Sequence, residues 1–203
     1  MPRRDDLNRI MILGSGPIRI GQAAEFDFSG SQACRALRSD GYEVVLVNSN
    51  PAPIQNDPEM ADRIYIEPLL PDVVRRILEI EKPDALLAVT RGQTALNIAS
   101  TLAHDGSLDD LGVELIGCDL GAIDDAEDRA RFKLVCEEIG LPVPRAVACC
   151  SIEEVLAAAE EIGQFPVLVR PAFTLGGLGG GTAWNRGELV EIASQGILHS
   201  RID

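Results

Sequence analysis

Ile10-Met11-Ile12-Leu13 is a continuous apolar run that empties straight into Gly14-Ser15-Gly16-Pro17-Ile18-Arg19-Ile20-Gly21. A strand with one wet face alternates apolar and polar residues; a strand buried on both faces of a parallel sheet does not. A helical stretch follows from about Gln22 to Asp40, and Gly41 can take the left-handed conformation that ends helices. Together these residues predict one strand-turn-helix unit, and the chain continues in the same alternation. Strands are expected at 43–48, 63–67, 85–89 and 114–117, with helices at 72–81 and 93–104. Right-handed crossovers between such units give an α/β fold of Rossmann-like, doubly wound, parallel type, with ligand-facing residues at the carboxyl ends of its strands.

The pattern changes around Leu120 to Asp125, read as a linker and a domain boundary, so that residues 1–123 form one domain and 124–203 the start of a second. Beyond it a long helix is expected from Ala126 to Ile139, closed by Gly140 and followed by Pro142 and Pro144. A strand at 146–150, a helix opened by the capping box Ser151-Ile152-Glu153-Glu154, a strand at 167–169 and a helix from about Arg186 complete the chain. The second piece is thin for a separate nucleotide-binding domain and reads as cut short. No internal repeat or low-complexity tract is visible.

Thirty-two acidic against 18 basic residues leave a formal charge of −14 over 203 residues, a field that repels nucleic acid and anionic lipid. An anionic small molecule is not excluded, because amides, arginines and helix N-termini hold phosphate at close range. The five cysteines, Cys34, Cys118, Cys136, Cys149 and Cys150, contain no C-x-x-C pair and read as reduced thiols in a cytoplasmic protein. His104 and His199 are too far apart in sequence to suggest a zinc site or a histidine relay. The apolar run at 10–13 is too short for a signal peptide or a membrane span.

Two glycine segments invite a phosphate reading. In the first, Gly14 and Gly16 fit a dinucleotide fingerprint, but Arg19 occupies its third position and Asn48 replaces the ribose-binding acid, which leaves a tight strand-to-helix connection as the alternative. The second, Thr174-Leu175-Gly176-Gly177-Leu178-Gly179-Gly180-Gly181, could lie bare against a triphosphate or form a hairpin tip. It lacks the lysine and hydroxyl of a Walker loop. Arg170, at the exit of an apolar strand beside it, could clamp a phosphate. Arg129 and Arg131 point in different directions from one helix, so one of them at most serves a common site, and an ordinary solvated face with local ion pairs is the other reading. The acidic pairs Glu25/Asp27, Glu127/Asp128 and Glu153/Glu154 are assigned no catalysis, and Cys149-Cys150 is expected to pack at a strand end.

Several segments together resemble the large subunit of carbamoyl-phosphate synthetase: residues 1–4 and 14–22, Glu25-Phe26-Asp27-Phe28-Ser29-Gly30, Val47-Asn48-Ser49-Asn50-Pro51, residues 57–62, Gly92-Gln93-Thr94-Ala95-Leu96-Asn97 and Ala126-Glu127-Asp128-Arg129. Residues 29–34 and 176–181 resemble its first half, which phosphorylates bicarbonate. The resemblance covers essentially the whole chain. It implies a pre-ATP-grasp domain followed by the opening subdomain of an ATP-grasp fold. It also implies Arg129 and Arg170 on the nucleotide and its phosphates, and Gly176 and Gly177 in a flap over it. The first glycine turn then becomes scaffold rather than dinucleotide site. By the same resemblance the substrates are ATP and bicarbonate, the partner is a glutamine amidotransferase small subunit, and the pathways served are arginine and pyrimidine biosynthesis. Mg²⁺ or Mn²⁺ would be held by later residues of the complete subunit, so this chain alone is expected to be inactive. Arg19 and Arg91 depart from the family pattern and add positive charge near strand ends.

Three other readings stay open on the residues: a different ATP-grasp ligase, a split or degenerate non-catalytic subunit completed by a second chain, and a dinucleotide enzyme.

Overall fold

The computed structural model describes residues 3–16, 23–88, 92–171 and 179–200. The chain divides into two compact units, Met1–Asp124 and Asp125–Asp203.

In the first unit, β1 (Arg9–Leu13), β2 (Glu43–Asn48), β3 (Arg63–Ile66), β4 (Ala85–Leu87) and β5 (Glu114–Ile116) form one sheet in the order β3-β2-β1-β4-β5. Every pairing is parallel, with Ile10 opposite Val44 on one side and Ala85 on the other. The apolar run of β1 therefore lies at the centre of the sheet, as its lack of alternation requires. Ile12 faces Cys34 of α1 (Ala23–Ser39) together with Val44 and Leu46. Met11 and Leu13 face the opposite side. There they meet Val74 and Leu78 of α2 (Pro71–Glu81), Ile98 and Leu102 of α3 (Gln93–His104), and Leu108 of α4 (Ser107–Leu111). Helices thus cover both faces, and the doubly wound class holds. Each large side chain buried here contributes roughly 1.5–3 kcal/mol. Gly41, at φ +85°, ends α1 as expected. The short helix α4, bracketed by left-handed Gly106 and Gly112, was not legible from periodicity because five residues make little more than one turn.

The second unit begins differently from expectation. The stretch read as a linker is helical, α5 (Leu120–Glu127), and the long helix expected over 126–139 is broken. Asp128 causes the break. Its backbone is extended, and its carboxylate accepts the amides of Ala130 and Arg131 at 2.7 and 3.0 Å, which caps a new helix, α6 (Arg129–Glu138). The strand expected at 146–150 is also absent. Among the described residues no strand pairs with it, the Ala146 carbonyl accepts from Lys133 Nζ, and the Cys150 amide donates to Glu154. Cys149 and Cys150 therefore lie in irregular, partly exposed chain rather than at a strand end.

Next come α7 (Ile152–Ile162), β6 (Val167–Val169), β7 (Gly181–Ala183) and α8 (Arg186–Ser200). The β6–β7 pair is antiparallel, with Val167 opposite Ala183 and Leu168 opposite Thr182. One face packs on the helices through Val167, Ala183, Leu189, Leu156 and Ile192. Strand β7 was not anticipated, because Gly181 weakens any strand signal. Its lack of a side chain has a use: a Cβ there would stand 3.3 Å from Ile192 of α8.

Among the described residues, no helix is long and apolar enough to cross a membrane.

Candidate functional site

The carboxyl ends of β1 and β4 flank the point where strand order reverses, the usual ligand crevice of such sheets. The turn at the end of β1 is occupied by the protein itself. Gly14 donates its amide to the Val47 carbonyl, and Gly16, at φ +69°, donates to Asn48 Oδ1 at 3.2 Å. Ser15 Oγ accepts from Gln55 Nε2 at 2.9 Å, and Asn48 Nδ2 donates to Asn56 Oδ1 at 3.1 Å. Asn48 and Gln55 are wholly buried. The amides that a pyrophosphate would need at Gly14 and Gly16 are thus already engaged within the protein, which favours the scaffold reading for residues 14–16. A Cβ on Gly14 would lie 2.5 Å from Asn48 Cγ. Gly14→Ala is therefore expected to cost about 2 kcal/mol, read as a lower urea midpoint, because neither strand of the central ladder can shift to relieve the overlap.

Asp27 belongs to the same edge. Its carboxylate accepts the amides of Ile54 and Gln55, both at 2.8 Å, and so caps a single 3₁₀ turn, Ile54–Asn56. In each acidic pair singled out in the sequence, one member holds a backbone amide in this way. Asp27 does so here, Asp128 on α6, and Glu154 at Cys150. The capping box at 151–154 is half as expected. Ser151 Oγ accepts the Glu154 amide, but the Glu154 carboxylate reaches one residue further back than the motif prescribes.

Asp128 makes a pH prediction. Hydrogen bonds from the amides of Arg131 and then Ala130 hold its carboxyl below the ordinary value of 3.8. A depressed folded pKa means stability that is present above the unfolded value and lost as pH falls through the folded one. The gap in melting temperature between the native chain and Asp128→Ala should be widest near neutrality and close below about pH 4. A gap independent of pH would contradict the carboxylate's role.

The residues expected to meet a nucleotide fall in the second unit. Arg129 is the first residue of α6 and is exposed; Arg131 is held by Asp125, with Nη2 and Nε at 2.6 and 2.8 Å from Oδ1. The local ion pair expected of a solvated helix face is thus found at Arg131. Arg170 leaves β6 and is exposed. Gly176 and Gly177 lie outside the described residues, as do Arg19 and Arg91, so the structure brings Arg129 and Arg170 onto separate elements without the segment expected to join them.

Two features were missed by sequence reasoning. First, the outer face of β6–β7 is bare and ordered along its length. Register and alternation place exposed Trp184 beyond β7 at one end, Leu168 and Thr182 in the middle, and Arg170 at the other end. Second, Gly196 of α8 lies under both ends of the stretch that holds the glycines. A Cβ there would sit 3.0 Å from the Gly179 carbonyl oxygen and 3.4 Å from Pro171 Cγ. The helical periodicity of α8 gave no hint of this, since a mid-helix glycine has many explanations. Among the described residues no group of three or more histidine, cysteine, aspartate or glutamate side chains could hold a metal ion.

Solved structures with the same fold include the biotin carboxylase domain of Hydrogenobacter thermophilus 2-oxoglutarate carboxylase, in complex with MgADP, ADP and bicarbonate. Its TM-score is 0.69 at 23% identity, over 94% of this chain and 40% of that one. A Campylobacter jejuni biotin carboxylase complex gives 0.66 at 21%, over 94% and 41%. At these identities the likeness is one of fold, and it sets the chain in the class that joins a parallel-sheet domain to the start of an ATP-grasp domain.

Residues 6–125 match the carbamoyl phosphate synthase preATP-grasp domain and residues 128–202 the ATP binding domain of the carbamoyl-phosphate synthase L chain. The chain belongs to the carbamoyl phosphate synthase large-chain family. It is 62% identical over 203 residues to the Archaeoglobus fulgidus carbamoyl phosphate synthase large chain, covering all of this chain and 19% of that one. It is 55% identical over 198 residues, 98% of this chain and 17% of the other, to an arginine-specific, chloroplastic large chain of Arabidopsis thaliana. The chain spans about a fifth of the length of these relatives.

Proposed function

We propose that this chain acts as the N-terminal portion of an ATP-dependent ligase that makes carbamoyl phosphate from bicarbonate, glutamine-derived ammonia and ATP, in the half that phosphorylates bicarbonate. On this reading residues 1–123 are the pre-ATP-grasp domain and 124–203 the opening part of the ATP-grasp domain. The observation that carries it is the outer face of β6–β7, which presents an aromatic ring, an aliphatic side chain and a guanidinium in line. A nucleoside triphosphate has the matching order, with a flat base at one end and anionic oxygens at the other.

Bicarbonate oxygen would attack the γ-phosphorus, the bond to ADP would break, and carboxyphosphate would form. Such a step depends on positioning and charge compensation more than on covalent chemistry by the protein. Arg170 would hold the phosphoryl oxygens bidentately, Arg129 would add positive charge, and Gly176 and Gly177 would offer amides without side-chain cover. Mg²⁺ or Mn²⁺ belongs to this chemistry, but the described residues do not fit it: they supply no ligand cluster. Partnership with a glutamine amidotransferase small subunit, cytoplasmic location and service to arginine and pyrimidine synthesis complete the proposal.

The test is bicarbonate-dependent ATP turnover. The complete large chain should show it, and the 203-residue chain alone should not. Turnover by the short chain would refute the division of the site; none by the complete chain would refute the function.

A further inference from the structure

Cys149 and Cys150 are the two adjacent thiols of the chain, and neither is in a disulfide. Cys150 is exposed and Cys149 partly so. Both sit just before α7, in backbone with no strand partner among the described residues, so neither is locked to one side of a ladder. Their surroundings are specific. The Cys150 amide donates to Glu154 Oε2 at 2.7 Å, and Cys149 Sγ lies 3.7 Å from the Val147 carbonyl oxygen. Burial first, then the negative charge of Glu154 and the neighbouring Cys150, pushes the Cys149 thiol up in pKa. Cys149 is thus held as a thiol at neutral pH, which disfavours its attack on disulfides and peroxides, since those reactions need thiolate.

The donor count narrows what such a pair can bind. A tetrahedral zinc site needs four ligands, and no cluster of three or more metal-ligating side chains occurs among the described residues. Two sulfurs from adjacent residues suit a soft centre that seeks two thiolates and carries its third substituent with it. We propose that Cys149 and Cys150 form a vicinal dithiol site for trivalent arsenic bearing one carbon substituent. In the reaction two As–O bonds of an arsonous acid, R–As(OH)₂, break and two As–S bonds form. The two thiol protons leave with the hydroxyls as two waters, and arsenic stays trivalent, so no oxidant or reductant is required. The second As–S bond forms within one molecule, and that step gives the pair its advantage over any single cysteine.

The experiment uses the 203-residue chain and phenylarsine oxide, which hydrates to the arsonous acid, with intact-mass readout after gel filtration. One adduct per chain is expected. It should survive an excess of 2-mercaptoethanol and be removed by 2,3-dimercaptopropanol. Cys149→Ser and Cys150→Ser should each weaken retention on the order of a hundredfold, while Cys118→Ser should leave it unchanged. Circular dichroism on each variant checks that the fold is intact, and maleimide labelling checks that the remaining thiol is reachable. An adduct that persists in either single-serine variant, that maps to Cys118, or that never forms although both thiols take maleimide would overturn the site.

Discussion

Replacing Glu81 by alanine is expected to destabilise the first unit by about 3 kcal/mol, measured as the drop in the urea midpoint at constant slope. Glu81 closes α2 with its side chain only 1% exposed, so its charge must be compensated from within. Three residues do this, two of them, Arg9 and Arg63, at the amino ends of their strands. Arg63 of β3 reaches Oε1 at 3.3 Å, the Tyr65 hydroxyl donates to the same oxygen, and Arg9 of β1 lies 3.8 Å from Oε2. Arg9 is shared with Glu43 of β2 at 2.9 Å and also donates to the Glu81 backbone carbonyl. Alanine would leave the part-buried tyrosine hydroxyl facing no acceptor, take from Arg63 its nearer carboxylate, and open a void where a wholly buried side chain stood. Against a total of about 5–15 kcal/mol for an ordinary domain, such a loss is large.

The same contact carries a sign that can be tested in base. The hydrogen bond to Glu81, then burial, pushes the Tyr65 phenol above its ordinary value of 10.0. A raised folded pKa gives stability that is present below the unfolded value and lost as pH rises through the folded one. Glu81→Ala should therefore flatten the alkaline decline in melting temperature. Tyr65→Phe should flatten it with a smaller loss at neutrality. A Glu81→Ala chain that melts like the native one at about pH 7 would show that the network is incidental.

What could be read from the sequence follows from how local each signal is. The parallel sheet was legible because β1 and β2 are apolar without alternation and each crossover has room for a helix. The break at Asp128 was not, because apolar residues recur at helical spacing on both sides of it and only the cap chemistry reveals the boundary. Residues 146–150 show the opposite error. Their composition suits a strand, but a strand exists only when a neighbour supplies the ladder, and composition does not report neighbours. On the candidate face, Arg170 could be singled out from its place after an apolar strand. Leu168 and Trp184 were not, because the face they share depends on the register of a β7 that glycine concealed. Glu81 was hidden for a similar reason: nothing in Leu78-Glu79-Ile80-Glu81 marks which glutamate is buried.

Arg170→Ala in the complete large chain is expected to lower bicarbonate-dependent ATP turnover by roughly 10²–10³ in kcat, the usual cost of removing one preorganised donor from a charge that builds in the transition state. Arg170→Lys should recover only part of this, because an ammonium restores charge but not the two-pronged geometry. The neighbours on the same face should behave differently. On the proposed reading Leu168→Ala would remove apolar contact with the middle of the nucleotide, made equally in ground and transition states, so KM should rise while kcat stays near native. Arg131 supplies the internal control. Its guanidinium is engaged by Asp125 at 2.6 Å, and Arg131→Ala should leave both constants unchanged, whereas Arg129→Ala, two residues earlier on the same helix, should not. Equal losses at Arg129 and Arg131 would point to disruption of α6 rather than to a phosphate contact. A kcat loss at Trp184→Ala larger than at Arg170→Ala would argue that the proposed nucleotide runs along β6–β7 in the opposite direction.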